Sequence, residues 1–259
     1  MIIFQRTQAL KSLKKFKTKD SNILKLKKKI RLYEGRNLAL KKCKGEFITF
    51  LDTDDWWEKD FLLSKNKFFK SSNDYGFCFS NCMHFYENKQ KYKVFSRRKL
   101  PSGFILEDLL KFYFVKMGTI IIKRRLIQSL KFNARYNIIG DYDLIIRAAK
   151  ETKGMSFQDK LVNIRIHQNN FSHRNRKMFY YEFKHWIKKQ NFDNIYFKDN
   201  KRYLLQKCEY LRLVYMLLEN KKITLIFDII KYPNFLLKLK LLVIYILPNF
   251  LINLKLKHL

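Results

Sequence analysis

Apolar residues follow two rhythms along this chain, and the change between them divides it. Up to about residue 174, short apolar runs alternate with stretches of helical spacing. Arg36–Lys44 reads as a short basic helix, with Gly45 where a helix C-cap belongs. The apolar run Phe47–Leu51 follows as a strand, and Glu58–Ser71 as a helix. Tyr75–Tyr86 and Lys91–Ser96 read as two strands joined at Glu87-Asn88-Lys89. Ile105–Phe114 has helical spacing of Ile105, Leu106, Leu109, Leu110 and Tyr113. Met117–Ile122 is a β-branched strand, and Met155–His167 supplies the last extended segment. Strands alternating with helices predict an α/β layered domain over residues 1–174.

Beyond Ser172 the pattern is helical. Lys177–Gln190 and Arg202–Leu218 carry apolar residues at three- and four-residue spacing among lysines, which predicts a basic helical region over 175–259. Its last segment, Phe235–Leu259, holds the apolar run Leu241–Leu247. That run is far shorter than the ~20 residues a membrane span needs. Lys238 and Lys240 precede it, and Lys255 and Lys257 follow. Two arrangements fit: an amphipathic helix resting on an anionic membrane surface, or a helix packed on the first domain.

The sharpest chemistry lies in Glu46–Asp55. A short apolar strand delivers Asp52 and Asp54, one residue apart, to its C-terminal end, where ligands bind in open α/β sheets. Two carboxylates aimed at one point repel each other unless they hold a hard cation. The pair therefore suggests Mg2+ or Mn2+ and a phosphate-bearing ligand. Taken alone, Asp-Thr-Asp-Asp is also an ordinary solvated turn.

Five elements fall in one register: Arg36-Asn37, a helix, Gly45-Glu46, an apolar strand, and Asp52-Thr53-Asp54-Asp55 followed by Trp56-Trp57. In that register the chain resembles the family 2 glycosyltransferases, the nucleotide-diphospho-sugar transferases of the GT-A fold. The resemblance implies a divalent metal, Mg or Mn, held by Asp52 and Asp54 with Asp55 beside them. Arg36 and Asp52 would contact the nucleotide or its phosphates. Ile138-Ile139-Gly140-Asp141-Tyr142-Asp143 resembles the family's acidic motif, usually Glu-Asp-X-Asp, with Gly140 in place of the Glu. Asp141 then falls on the acid that serves as catalytic base in inverting members. By its residues alone, Asp141 is also a helix N-cap with Asp143 in the first turn.

Asn163–Ser172 resembles the closing strand of the family's catalytic domain, which implies that His167 reaches the metal or the diphosphate. A satisfied structural histidine fits the same position. Family members open with a strand-helix unit before the strand that Met1–Phe4 resembles. Here Gln5-Arg6-Thr7-Gln8 stands where the nucleotide-binding acids are expected, so the resemblance implies a GT-A core truncated at its N-terminus, from a late start or a degraded gene.

Composition changes this picture little. With 47% apolar residues, 259 residues are enough for a substantial core. The net charge of +33 raises nucleic acid as a partner, but the excess is spread along the chain among Ile, Asn and Phe. No recognisable nucleic-acid module or clustered basic face accompanies it, so no nucleic acid is expected. The four cysteines are too few and irregular for a disulfide framework. Cys78, Cys82 and His84 lack a fourth zinc ligand, and buried free thiols in a reducing cytoplasm are expected. No signal peptide opens the chain.

These readings converge on transfer of a sugar, with inversion, from a nucleoside-diphosphate sugar to a saccharide or lipid-linked acceptor. The expected setting is envelope polysaccharide or glycolipid synthesis, in the cytoplasm and at the inner face of the cell membrane. A catalytically silent remnant of such an enzyme, or a basic nucleic-acid-binding protein, are the competing classes.

Overall fold

A computed structural model describes residues 30–65, 74–219 and 224–246. The expected strand Met1–Phe4 lies outside the described residues, as do the later parts of Glu58–Ser71 and of Phe235–Leu259. The chain divides into two compact units, Met1–Arg165 and Ile166–Leu259.

Among its described residues, the first unit holds two four-stranded sheets. Its strands are β1 (Phe47–Thr49), β2 (Trp56–Trp57), β3 (Tyr75–Ser80), β4 (Met83–Tyr86), β5 (Lys91–Val94), β6 (Ile121–Lys123), β7 (Lys153–Phe157) and β8 (Val162–Ile166). One sheet has the order β1-β6-β3-β7 and the other β2-β8-β4-β5. β3 pairs antiparallel with β6 and parallel with β7, and so is central. Phe77, Cys78 and Phe79 are all fully buried there, since a strand covered on both faces cannot alternate apolar with polar. Phe61, Cys78, Cys82, Ile121 and Val162 form one core cluster with contributions from both sheets. Phe61, Ile121 and Val162 each contribute about 1.5–3 kcal/mol by leaving water. Both thiols are buried and free, and burial pushes each up to about 12.

Among the described residues, the helices beside these sheets include α1 (Leu32–Leu40), α2 (Leu106–Lys111), α3 (Arg124–Leu130) and α4 (Gly140–Glu151). Several differ from the sequence pattern for local reasons. α1 starts and stops four residues before the expected Arg36–Lys44, because its buried face is Tyr33, Arg36, Ala39 and Leu40. Lys41 is its C-cap, and Gly45 sits in the bend before β1. Tyr75–Tyr86 is two strands in different sheets. Asn81 breaks it: its Oδ1 accepts the N–H groups of Cys82 (3.0 Å) and Ser96 (3.1 Å), and its amide donates to Ser96 O (2.7 Å). The hairpin to β5 turns at Glu87–Lys89 as expected, with Gln90 at φ 48°. Met117–Thr119 is a 3₁₀ turn rather than the start of β6, since the Thr119 hydroxyl and N–H both donate to Lys116 O (2.8 and 2.9 Å). Met155–His167 likewise separates into β7 and β8. α3 was not predicted: Ile127 alone is buried in it, so it shows no apolar stripe.

The second unit contains α5 (Phe171–Arg174), α6 (Arg176–Lys188), α7 (Ile195–Glu219), α8 (Leu225–Lys231) and α9 (Phe235–Ile246). α6 packs along α7 through Tyr180 on Tyr215 (ring centroids 5.2 Å) and Trp186 on Phe197 (6.1 Å). Leu213, Val214 and Leu217 of α7 share a core with Leu225 and Ile229 of α8 and Leu241 and Ile244 of α9. Arg212 ties α7 to α8 by donating to Glu209 (2.5 Å) and Asp228 (2.6 Å).

Candidate active site

The acidic run leaves β1 and turns immediately: the N–H of Asp55 donates to Asp52 O at 3.1 Å. That turn places Asp52, Asp54 and Asp55 together beyond the strand end. α1 approaches the same point. Arg36, 4% exposed, reaches from its buried face and donates to Asp52 Oδ1 at 2.7 Å. Three aromatic rings hold its guanidinium, Tyr33, Phe50 and Phe132, at 5.7, 5.3 and 5.6 Å from their centroids. A cation so enclosed survives because π faces and a carboxylate replace its water. The Asp52 side chain is 46% exposed, so the pair opens at one end to solvent.

The two neighbouring acids differ in environment. Asp54 lends its carbonyl oxygen to Arg165 Nε at 3.1 Å. Asp55 turns inward, where its Oδ1 accepts the backbone N–H of Arg165 at 2.9 Å. Burial pushes the Asp55 carboxyl up to about 8, and the Asp52 and Asp54 charges add to this against the pull of Arg165. The Trp56-Trp57 pair that follows braces the turn. Trp57 Nε1 donates to Gly118 O at 2.8 Å, and Trp56 lies against Phe85 and Tyr92.

Asp141 enters from α4. It is the second helical residue, with Ile139 as N-cap, so it is not the cap that its residue type allowed. Its Oδ1 accepts the Tyr142 N–H at 2.7 Å and the Tyr33 hydroxyl at 3.4 Å. Burial raises its carboxyl above the ordinary range, the Tyr142 N–H and the Arg36 and Lys116 charges oppose this, and the Asp52 charge adds to it. Both acidic motifs thus share one electrostatic neighbourhood, with Arg36 acting on each. Asp143 is committed elsewhere: Arg147 donates to its Oδ2 from Nε (3.0 Å) and a terminal nitrogen (2.8 Å).

Two residues of this site, Lys116 and Tyr33, were not read from the sequence. Lys116 stands over the Phe95 ring at 4.7 Å, and burial lowers its ammonium against the pull of Cys82, Asp141 and Asp55. Its signal was a lone lysine inside the apolar run Phe114–Met117. Tyr33 donates to Ile138 O at 2.8 Å and stacks on Phe132 at 5.3 Å. A Cβ on Gly140 would lie 2.5 Å from its ring carbons. The glycine in the acidic motif therefore leaves room for Tyr33. Asn37 clamps the Phe132 backbone by donating to its oxygen (2.8 Å) and accepting its N–H (2.9 Å). The adjacent Arg36 and Asn37 so hold, from one helix, the acidic turn and the loop leading to α4.

His167 belongs to the second unit. Its Nδ1 accepts the Asn169 N–H at 3.1 Å and its own N–H donates to Asn170 Oδ1 at 2.7 Å. Among the described residues, no three His, Cys, Asp or Glu side chains gather as a metal cage. The donor set still suits a hard cation. Mg2+ takes one or two carboxylates and completes its shell with phosphate oxygens and water. Asp52 and Asp54 are oxygen donors of that kind, and beside them stands Asp55, its carboxyl raised chiefly by burial and further by their charge.

Comparison with known proteins adds four likenesses. The sequence model of the family described as Glycosyl transferase family 2 matches residues 6–149. An uncharacterised glycosyltransferase of Methanocaldococcus jannaschii is 28% identical over 198 residues, covering 71% of this chain and 67% of that protein. An amylovoran biosynthesis glycosyltransferase of Erwinia amylovora is 31% identical over 121 residues, 45% of this chain and 40% of that one. The chain thus spans two thirds of one relative and less than half of the other. A mannosyltransferase from Pyrobaculum calidifontis, solved with GDP-Man and Mn2+, superposes with a TM-score of 0.54 at 11% identity, covering 99% of this chain and 78% of that one. At that identity the likeness speaks for the fold alone.

Proposed function

The chain belongs to glycosyl transferase family 2, and from that premise we propose that it moves a sugar from a nucleoside-diphosphate sugar to a hydroxyl group. One observation carries the proposal. Two acidic motifs far apart in sequence meet around Arg36, which bonds to Asp52 and pulls on the charge of Asp141. A solvated acidic loop has no need of such a meeting.

Asp54, with Asp52 beside it, would hold Mg2+ or Mn2+, which supplies Lewis-acid stabilisation of the departing diphosphate. The solved mannosyltransferase with its GDP-Man and Mn2+ supports this choice of donor class and metal. Arg36 orients Asp52 and adds positive charge next to the phosphates. Asp141 takes the proton from the acceptor hydroxyl. Its raised carboxyl makes it a stronger base than a solvated aspartate, and the Tyr142 N–H and Tyr33 hydroxyl fix its orientation. Attack from the face opposite the leaving diphosphate inverts the anomeric centre. Lys116 sets the charge between Asp141 and Asp55.

The amylovoran relative supports an envelope polysaccharide or glycolipid as product, with a saccharide or lipid-linked acceptor. Thermal shift against UDP-, GDP- and dTDP-sugars with Mn2+, followed by a transfer assay with the stabilising donor, tests the reading. Asp141→Asn is expected to keep donor binding and lose transfer, and Asp54→Ala to lose the metal-dependent shift. Transfer at the wild-type rate in both variants refutes the assignment.

A further inference from the structure

Helix α9 (Phe235–Ile246) carries apolar stripes on two sides. The inner one, Leu237, Leu241 and Ile244, packs into the core with Leu213, Leu217 and Ile229. The outer one, Phe235, Leu236, Leu239, Val243 and Ile246, stays exposed, from 44% at Leu239 to 75% at Ile246. At helical spacing these five side chains occupy an arc of about 100°. Lys240 lies at one edge of that arc and Lys238 beyond the other, and α9 contains no acidic residue. On α8, which packs against α9, Phe227 and Ile230 are exposed as well, next to Lys231.

A helix apolar all round belongs in a core or in lipid, and among the described residues only the inner side of α9 meets a core. No helix among the described residues is long and apolar enough to cross a membrane. α9 itself is about 18 Å long against a hydrocarbon thickness of about 30 Å. We propose that the outer stripe lies in the plane of an anionic lipid surface. The five apolar side chains sit below the headgroups, and Lys238 and Lys240 extend their amines to lipid phosphates. Charge selects this occupant over a second copy of the chain. Pairing two such faces would bring lysines against lysines in a protein of net charge +33, whereas an anionic leaflet neutralises them. The test of this face needs neither donor nor acceptor, so its outcome is independent of the proposed transfer.

The experiment is co-sedimentation of the full chain with phosphatidylcholine vesicles and with the same vesicles carrying phosphatidylglycerol. The wild-type chain should pellet with the anionic vesicles. Leu239→Glu with Val243→Glu, both on the exposed side, should abolish pelleting with unchanged circular dichroism and unfolding. Lys238→Gln and Lys240→Gln should weaken it about fivefold each. Pelleting of the double glutamate variant at the wild-type level would overturn the proposal, since diffuse charge elsewhere would then suffice. A wild-type dimer in vesicle-free solution, converted to monomer by the same pair, would assign the face to a second copy and overturn it equally.

Discussion

Asp55 shows how one residue can serve a site at a cost to the fold. Its carboxyl, near 8 in the folded chain, stays protonated over a range in which the unfolded chain has released the proton, above about 4. The native state therefore binds more protons than the unfolded state between these values, and stability falls as pH rises across that window. In chelator, urea unfolding of the wild type should weaken from pH 4 to 8, while Asp55→Asn keeps its bond from the Arg165 N–H and falls less. The gap should reach about 1–3 kcal/mol at pH 8, and parallel profiles would sink this account. Asp141 has the same direction of shift with a functional reading. In the proposed role of base it must lose its proton, so the acid limb of kcat/KM should lie above the ordinary aspartate range. A limb at the solvated value would mean that burial does not tune this group.

At the scale of elements, α1 is the organiser. Tyr33, Arg36 and Asn37 act from it on α4, on the acidic turn and on the loop at Phe132. The fit of Tyr33 against Gly140 predicts that Gly140→Ala costs about 1–3 kcal/mol in denaturant unfolding, by overpacking. In a Tyr33→Ala background that cost should largely vanish, and an unchanged cost would show that the ring is not the obstacle. The sequence disclosed the family register and the acids beyond β1, because those depend on residue order and on one apolar run. It did not disclose Tyr33, since the helix was read from Arg36 and the residue packs with partners near Phe132 and Gly140. Lys116 was hidden similarly, as its meaning comes from Asp55 and Asp141 across the fold. Long apolar runs such as Tyr75–Tyr86 concealed a change of sheet. Asn81, which makes that break, bonds to Ser96, and no local pattern reports such a partner.

For the whole molecule, the charge of +33 sets behaviour that no single contact explains. Like charges spread over a compact chain repel one another, so raising salt from low to physiological strength should raise the unfolding temperature. The same charge retains polyanions, and retention on DNA is expected at low salt, without sequence preference, decaying steeply as salt rises. On the proposed function, binding of a nucleoside-diphosphate sugar with Mn2+ would depend instead on Arg36 and the acids around it, a local arrangement that diffuse screening weakens far less. Measuring both against salt on one preparation separates them. DNA retention should be lost near physiological strength while the sugar-nucleotide shift persists. If retention survived there and the nucleotide shift did not, the basic surface and not the acidic site would be the working part of this chain.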